Sequence, residues 1–494
     1  MASAGCSQVD EVQPHFVVVP LLAQGHMIPM IDIAALLARR GAHVTVVTTP
    51  YNATRFEQFF ARAEQSELAI SLLQIPFPCL EVGLPIGCEN LDALPSRALL
   101  RKFYKALSLL QQPLERFLDL HLLPPTCILS DKYLYWTAET ARRFRCPRVV
   151  FHGTGCFSLL SSHNLQLHSP HTSIDSDSKP FLVPGLPHEI EITKSQLPGS
   201  LIKSPDFHDF RDKIAEAELG AYGVLVNSFT ELEKGYSEKY EEAINKKIWC
   251  VGPVSLCNQK SSDKYERGNR ASIKQSNCLN WLDSKDPKSV LYVCLGSLCR
   301  MNPQQLIQIG LALESAARPF IWVIKNREEL EKWVSEGFEE RIKGRGLVIG
   351  GWAPQVLILS HPAIGGFVTH CGWNSTVEGI CGGVPMITWP QFAEQFLNEK
   401  LVVEVLKIGV RIGAAVERAV RWGEEERVGV MVKKEEIEKA IGMVMDGGEE
   451  GEERRRAEDL GKMAAKAMEN GGSSHLNLSL FIKDVMAESA HLKA

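Results

Sequence analysis

With 494 residues, 45% hydrophobic and 23% charged, the chain exceeds what one hydrophobic core ordinarily organises and is expected to form two domains of a soluble globular protein. Its formal net charge of −5 supplies no general attraction to nucleic acid or to an anionic membrane, so any anionic ligand must be held by local groups. Residues 1 to 14 lack a basic segment followed by an apolar one, no apolar run approaches the roughly 20 residues a membrane helix needs, and thirteen cysteines form no Cys-x-x-Cys pair; together these predict a cytoplasmic protein with reduced thiols and no integral membrane segment.

Along the chain, His15 to Pro20 reads as a strand, Leu21 to His26 as a loop, Pro29 to Arg40 as a helix ended by Gly41, and Ala42 to Thr48 as the next strand of a βαβ unit. His26 is thereby placed in the first strand-to-helix loop, where open parallel sheets gather functional groups, although a solitary loop histidine is usually just solvated. Cys127 to Asp131 reads as a later strand, with Asp131 as N-cap of a helix beginning near Tyr135. Asp175-Ser176-Asp177 has the Asp-x-Asp form of metal-dependent transferases, but its Ser- and Pro-rich surroundings make it a solvated loop. Trp249 to Val254 marks the exit from a first domain, and the polar stretch Asn258 to Asn277 suits an exposed linker.

Val290 to Leu295 then reads as a buried parallel strand ending in Gly296-Ser297, and Phe320 to Lys325 and Gly346 to Ile349 supply further strands. The charge run Gly448 to Arg456 reads as a solvated helix start, and Gly471 to Ser474 breaks the chain before a last amphipathic helix. The predicted organisation is an N-terminal domain over 1–248, a connection over 249–289, a second domain over 290–472 and a final helix over 473–494.

The most informative segment is the 44 residues from Trp352 to Gln395. Gly366 to Thr369 reads as a short buried strand, His370-Cys371-Gly372 as a tight turn, and Asn374 to Glu378 as the first turns of a helix. Such a helix start presents unpaired N–H groups and a positive dipole end, which suits a diphosphate. Asn374 and Glu378, four residues apart, share a face, so one turn beyond the phosphate site a carboxylate offers the acceptor pair that vicinal ribose hydroxyls need. Gly382-Gly383 ends the helix, Val384 to Trp389 forms the next strand, and Pro390 to Gln395 follows at its C-terminal end, where open sheets bind ligands.

This ordered set resembles the signature box of plant secondary-product UDP-glycosyltransferases over its full length. The resemblance implies an α/β protein of two Rossmann-like domains facing across a cleft, the GT-B fold. It implies that Trp352 stacks on uracil with Ala353 and Gln355 nearby, that Ser297, His370, Asn374 and Ser375 hold the diphosphate with Gly372 in the same turn, and that Glu378 binds the ribose. Trp373, Glu394 and Gln395 would face the sugar, and a final Gln is associated in this family with UDP-glucose. The run Pro20 to Pro29 is similar to the family's loop bearing its catalytic base, which makes His26 that base and maps its orienting acid onto Asp131. The runs Phe181 to Pro187 and Gly223 to Phe229 match family framework, and the acceptor pocket is expected from parts of Phe77 to Ser96, Tyr133 to Trp136 and Gly153 to His168. The last helix would cross back onto the first domain. Phe77-Pro78-Cys79, Gly87 to Asn90 and Tyr292 to Arg300 look like the group acting on flavonoids and on triterpenoid or steroid aglycones. Implied partners are a UDP-sugar donor and a small lipophilic acceptor, with no further cofactor and the chain acting as a monomer.

Rival chemistries leave no trace in the residues. There is no Gly-x-Gly-x-x-Gly for a dinucleotide and no Gly-x4-Gly-Lys-Ser/Thr for a triphosphate. A retaining transferase of this fold commonly carries a second Glu eight positions after the first, and eight beyond Glu378 stands Met386. The expected reaction is a single in-line displacement giving a β-glucoside, with magnesium dispensable. A UDP-sugar hydrolase or epimerase on the same scaffold, and a non-catalytic nucleotide-sugar binder, remain as alternatives.

Overall fold

Short apolar runs buried on both faces build two parallel sheets, as Val-, Ile- and Leu-rich strands flanked by helices require. The computed structural model describes residues 13–199, 201, 207–325, 333, 337–413, 430–447 and 451–494; the head of the chain and residues 448–450 of the expected charge run lie outside them. The first sheet contains β1 (His15–Val19), β2 (His43–Thr48), β3 (Ile70–Gln74), β4 (Cys127–Asp131) and β5 (Arg148–His152). After a small antiparallel pair, β6 (Phe181–Leu182) and β7 (Glu191–Ile192), it is completed by β8 (Gly223–Val226) and β9 (Lys247–Cys250), in the order β3-β2-β1-β4-β5-β8-β9. The second sheet contains β10 (Val290–Cys294), β11 (Phe320–Ile324), β12 (Gly346–Gly350), β13 (Ile364–Thr369), β14 (Met386–Thr388) and β15 (Gly409–Arg411), in the order β12-β11-β10-β13-β14-β15. Each order reverses once, between β1 and β4 in the first sheet and between β10 and β13 in the second, and such switch points are where open sheets leave a crevice. The two sheets make this an α/β protein of two parallel-sheet lobes, the class expected.

The first helix corrects one expectation. It runs from Gln24 to Ala38 (α1), so it starts five residues before Pro29, and His26 sits in its first turn rather than in a loop. Proline favours the first position of a helix, which is why Pro29 signals a start there, yet it lies inside the helix. Having no N–H, Pro29 leaves the carbonyl of Gly25, four residues back, without its intrahelical partner. The Nδ2 of Asn374 donates to that carbonyl from the other lobe at 2.6 Å.

The other helices that position the cleft are α2 (Cys156–His168), α3 (Trp373–Cys381), α4 (Gln395–Lys400) and α5 (Ser473–Lys493). One hydrophobic core is continuous across the lobes, placing Cys156 and Phe157 of α2 in the same cluster as Trp373 and Leu397. In α5, Leu478, Phe481 and Val485 join the core of the first lobe, Phe481 packs against Phe16 and Trp249, and the Trp249 indole donates to Asp484 at 3.2 Å. Asp175 to Asp177 lies in an exposed loop, and no described helix is long and apolar enough to cross a membrane.

Candidate active site

The two switch points face one another across a cleft of about 470 Å³, a size ordinary for small-molecule sites. It is lined by His26 and by every residue expected to hold the donor: Ser297, Trp352, Ala353, Gln355, His370, Gly372, Trp373, Asn374, Ser375, Glu378, Glu394 and Gln395. Asp131 is not in the wall but wholly buried behind it.

At the first switch point the Nδ1 of His26 lies 2.5 Å from Oδ2 of Asp131, and Oδ1 accepts the Tyr133 N–H at 3.0 Å. The helix that follows Asp131 begins at Thr137, and the carboxylate does not cap it. Both carboxylate oxygens are therefore spent on the turn and on the imidazole. Burial opposes protonation of His26, but the charge and hydrogen bond of Asp131 outweigh it, so its pKa is raised above the usual 6.5; Glu394 adds to this and Lys132 opposes it. Around His26 stand aromatic rings: Tyr133 at 6.1 Å between centroids, then Tyr104 at 6.0 Å from Tyr133, and Phe210 at 4.4 Å from Tyr104.

At the second switch point the imidazole of His370 fits beside Gly296, where a Cβ would fall 2.5 Å from the ring and where the backbone takes φ +83°. Glycine is required there on both counts. His370 has no charged partner, its Nδ1 is buried without one, and burial lowers its pKa to about 4. Two non-glycine residues adopt left-handed backbone at the neighbouring strand ends, Cys371 (φ 62°) after β13 and Ala393 (φ 56°) after β14. Strain of this kind, of order 1–3 kcal/mol per residue, persists where the surrounding structure over-determines it, and it clusters at functional sites.

Further along the wall, Gln355 Nε2 donates to Ser375 Oγ at 3.0 Å and to Glu378 Oε2 at 2.7 Å, so its amide positions two other expected ligands. Gln395 spends its Oε1 on the N–H groups of Gln391 and Phe392, which leaves Nε2 for any sugar. The carboxyl of Glu394 is pushed up chiefly by burial, with His26 and Lys132 acting the other way. Trp373 lines the cleft but is 2% exposed, and its indole donates to the Asn227 carbonyl at 2.9 Å, so the ring serves as a wedge between lobes.

Three features were not read from the sequence. Asn227, in a run that matches family framework, accepts the Trp373 indole N–H at its carbonyl and donates to Asn374 Oδ1 at 3.4 Å. Lys325, at the end of β11, donates to the Ser297 carbonyl at 2.7 Å. The stretch 258–277 is not simply exposed: Arg267 and Asn269 line the cleft, and Gln24 donates to Asn269 at 2.9 Å. No sequence signal marks these residues, because each partner lies far along the chain; an Arg-Gly pair in a polar stretch is the nearest thing to one.

Comparison with known proteins bears on this site. A profile of the family described as UDP-glucoronosyl and UDP-glucosyl transferase matches residues 269–418. UDP-glycosyltransferase 73D1 of Arabidopsis thaliana is 57% identical over 493 residues, covering 96% of this chain and 97% of that relative. The crystal structure of Glycyrrhiza uralensis UGT73P12, complexed with glycyrrhetinic acid 3-O-monoglucuronide, superposes with a TM-score of 0.89 at 40% identity over 97% of each chain. Arabidopsis thaliana UGT89C1, complexed with UDP-L-rhamnose, gives a TM-score of 0.75 at 29% identity, over 96% of this chain and 99% of that one.

Proposed function

The chain belongs to the plant UDP-glycosyltransferases, enzymes that transfer sugar from a UDP-sugar to an acceptor, and on that premise we propose that it moves glucose from UDP-glucose to a hydroxyl or carboxyl of a small lipophilic plant metabolite such as a flavonoid or a triterpenoid or steroid aglycone. The observation that carries the proposal is the contact of the two switch points. The Asn374 amide at the start of α3 reaches the Gly25 carbonyl, one residue before His26, so a diphosphate at that helix start would bring its sugar up to the base.

In the proposed step Asp131 holds Nδ1–H of His26, which fixes the tautomer and leaves Nε2 to take the acceptor's proton. The acceptor oxygen attacks the anomeric carbon, the carbon–oxygen bond to UDP breaks on the opposite face, and the configuration inverts to a β-glucoside. Charge growing on the leaving diphosphate is met by His370, by Ser297 and Ser375, and by the N–H groups of α3, all of them dipoles already in place. Metal independence is part of the proposal. Glucose is supported by Gln395, whose Nε2 is left free at the sugar end of the cleft. The rings of Tyr133, Tyr104 and Phe210 near His26 support a flat or polycyclic apolar acceptor. Cytosolic residence is proposed from the twelve described cysteines, none of them in a disulfide.

Incubating the purified protein with UDP-glucose and a panel of flavonoids, triterpenoid acids, sterols and small phenols tests this by mass spectrometry. A hexosyl adduct that disappears in His26→Ala is expected. Release of UDP with no adduct would replace transfer by hydrolysis.

A further inference from the structure

We infer that Arg267, on the connection between the lobes, is a donor-site residue: it positions the ribose-binding carboxylate and offers the ribose a hydrogen bond of its own. The inference rests on a UDP-sugar filling the cleft with its ribose at Glu378.

Three observations carry it. The Arg267 side chain is 8% exposed, and its guanidinium bridges the lobes, with Nε donating to Asp32 Oδ2 at 2.8 Å and Nη1 to Glu378 Oε1 at 2.5 Å. Asp32 lies on α1, the helix that carries His26, whereas Glu378 lies on α3, so one planar cation ties the helix of the base to the helix of the donor site. The remaining nitrogen, Nη2, is buried without a partner in a side chain that lines the cleft. Buried N–H groups are rarely left unpaired in a working protein, and the ligand expected beside Glu378 supplies hydroxyl oxygens. The segment is also pressed onto the uracil platform: Gly268, at φ +92°, has no room for a side chain, since a Cβ would meet Trp352 Cζ2 at 2.7 Å and Ile28 Cδ1 at 2.8 Å.

The chemistry is that of a diol held on both sides. The carboxylate of Glu378 accepts from the ribose hydroxyls, with Gln355 and Arg267 already fixing one oxygen each, and Nη2–H donates to a hydroxyl oxygen. Arg267 thus reads ribose against deoxyribose.

Calorimetric titration of the full-length protein with UDP and its 2′- and 3′-deoxy analogues tests this. If wild type does not bind UDP, the donor reading itself falls. If it does, Arg267→Gln and the charge-preserving Arg267→Lys are expected to weaken UDP by roughly 10- to 100-fold, the scale of one hydrogen bond to a charged group. They should also shrink the penalty for at least one deoxy analogue, leaving the part that Glu378 supplies. Asp32→Asn cuts only the branch to α1 and is expected to keep that penalty. A purely structural Arg267 would lower the melting temperature of its variants while leaving ribose discrimination intact. Full discrimination in Arg267→Lys, with UDP still bound, overturns the assignment.

Discussion

His26, in the first turn of the helix after β1, and His370, just beyond β13, each stand at the switch point of their own sheet, yet their surroundings drive them in opposite directions. The strand beside β1 ends in Asp131, which pulls the His26 pKa up against burial; the strand beside β13 runs out into Gly296-Ser297, two residues past its last residue Cys294, which offers no charge, and burial alone takes His370 down to about 4. One imidazole is equipped to accept a proton and keep it, the other to stay neutral and donate a hydrogen bond. The neighbouring strand end, not the histidine, assigns the role.

The largest break in this pairing is His26→Ala, expected to lower kcat by about 10²- to 10⁴-fold, the usual worth of a general base, in an assay of glucoside formation. Asp131→Asn should cost less but move the pH profile: the acid limb of kcat/KM, expected above 6.5 in the wild type because the base must be neutral, should shift to lower pH when the carboxylate is gone. His370→Ala removes one hydrogen bond to a charged group, about 10- to 100-fold in kcat/KM by steady-state kinetics, and leaves the acid limb in place. Stability sharpens the contrast. Stabilisation from His26 is present below 6.5 and fades as pH rises through its raised folded value, whereas that from His370 is present above 6.5 and is lost as pH falls toward about 4. Melting curves between pH 7 and 4 should therefore fall less steeply in His370→Ala than in wild type. The smallest effect expected is that of EDTA on transfer, which should be nil; a loss restored by magnesium would reopen the Asp-x-Asp loop at Asp175.

Where chemistry was written within one short stretch, the sequence was readable. Trp352 to Gln395 carries strand, turn and helix together, and the relation of Asn374 to Glu378 follows from helical spacing alone; the fold class and the enzyme class followed from that stretch and hold. What depended on distant partners was not readable. Pro29 misdirected the start of α1 because its local preference gave way to packing, with twelve of the fifteen residues of α1 buried. The indole N–H of Trp373 goes to the Asn227 carbonyl, 146 residues away, a tie between lobes that no local pattern announces. Arg267 sat in a stretch whose polarity suggested solvent, and only the fold brings Asp32 and Glu378 to either side of it.

The proline in α1 has a consequence for how the halves find their register. A helix ordinarily spends each carbonyl on the N–H four residues on, and an intact one has only a second, less accessible lone pair to offer a partner at that depth. By withholding a single N–H, Pro29 turns the Gly25 oxygen into a docking point one residue from the base, and the amide that docks there belongs to the residue expected to hold the diphosphate. That amide has two hydrogens, one for the docking point and one for the phosphate. Arrival of the donor would thus be felt directly in the first turn of the helix that must deprotonate the acceptor, and Pro29→Ala, which returns the carbonyl to its own helix, should make a sturdier α1 and a molecule slower to sense its donor.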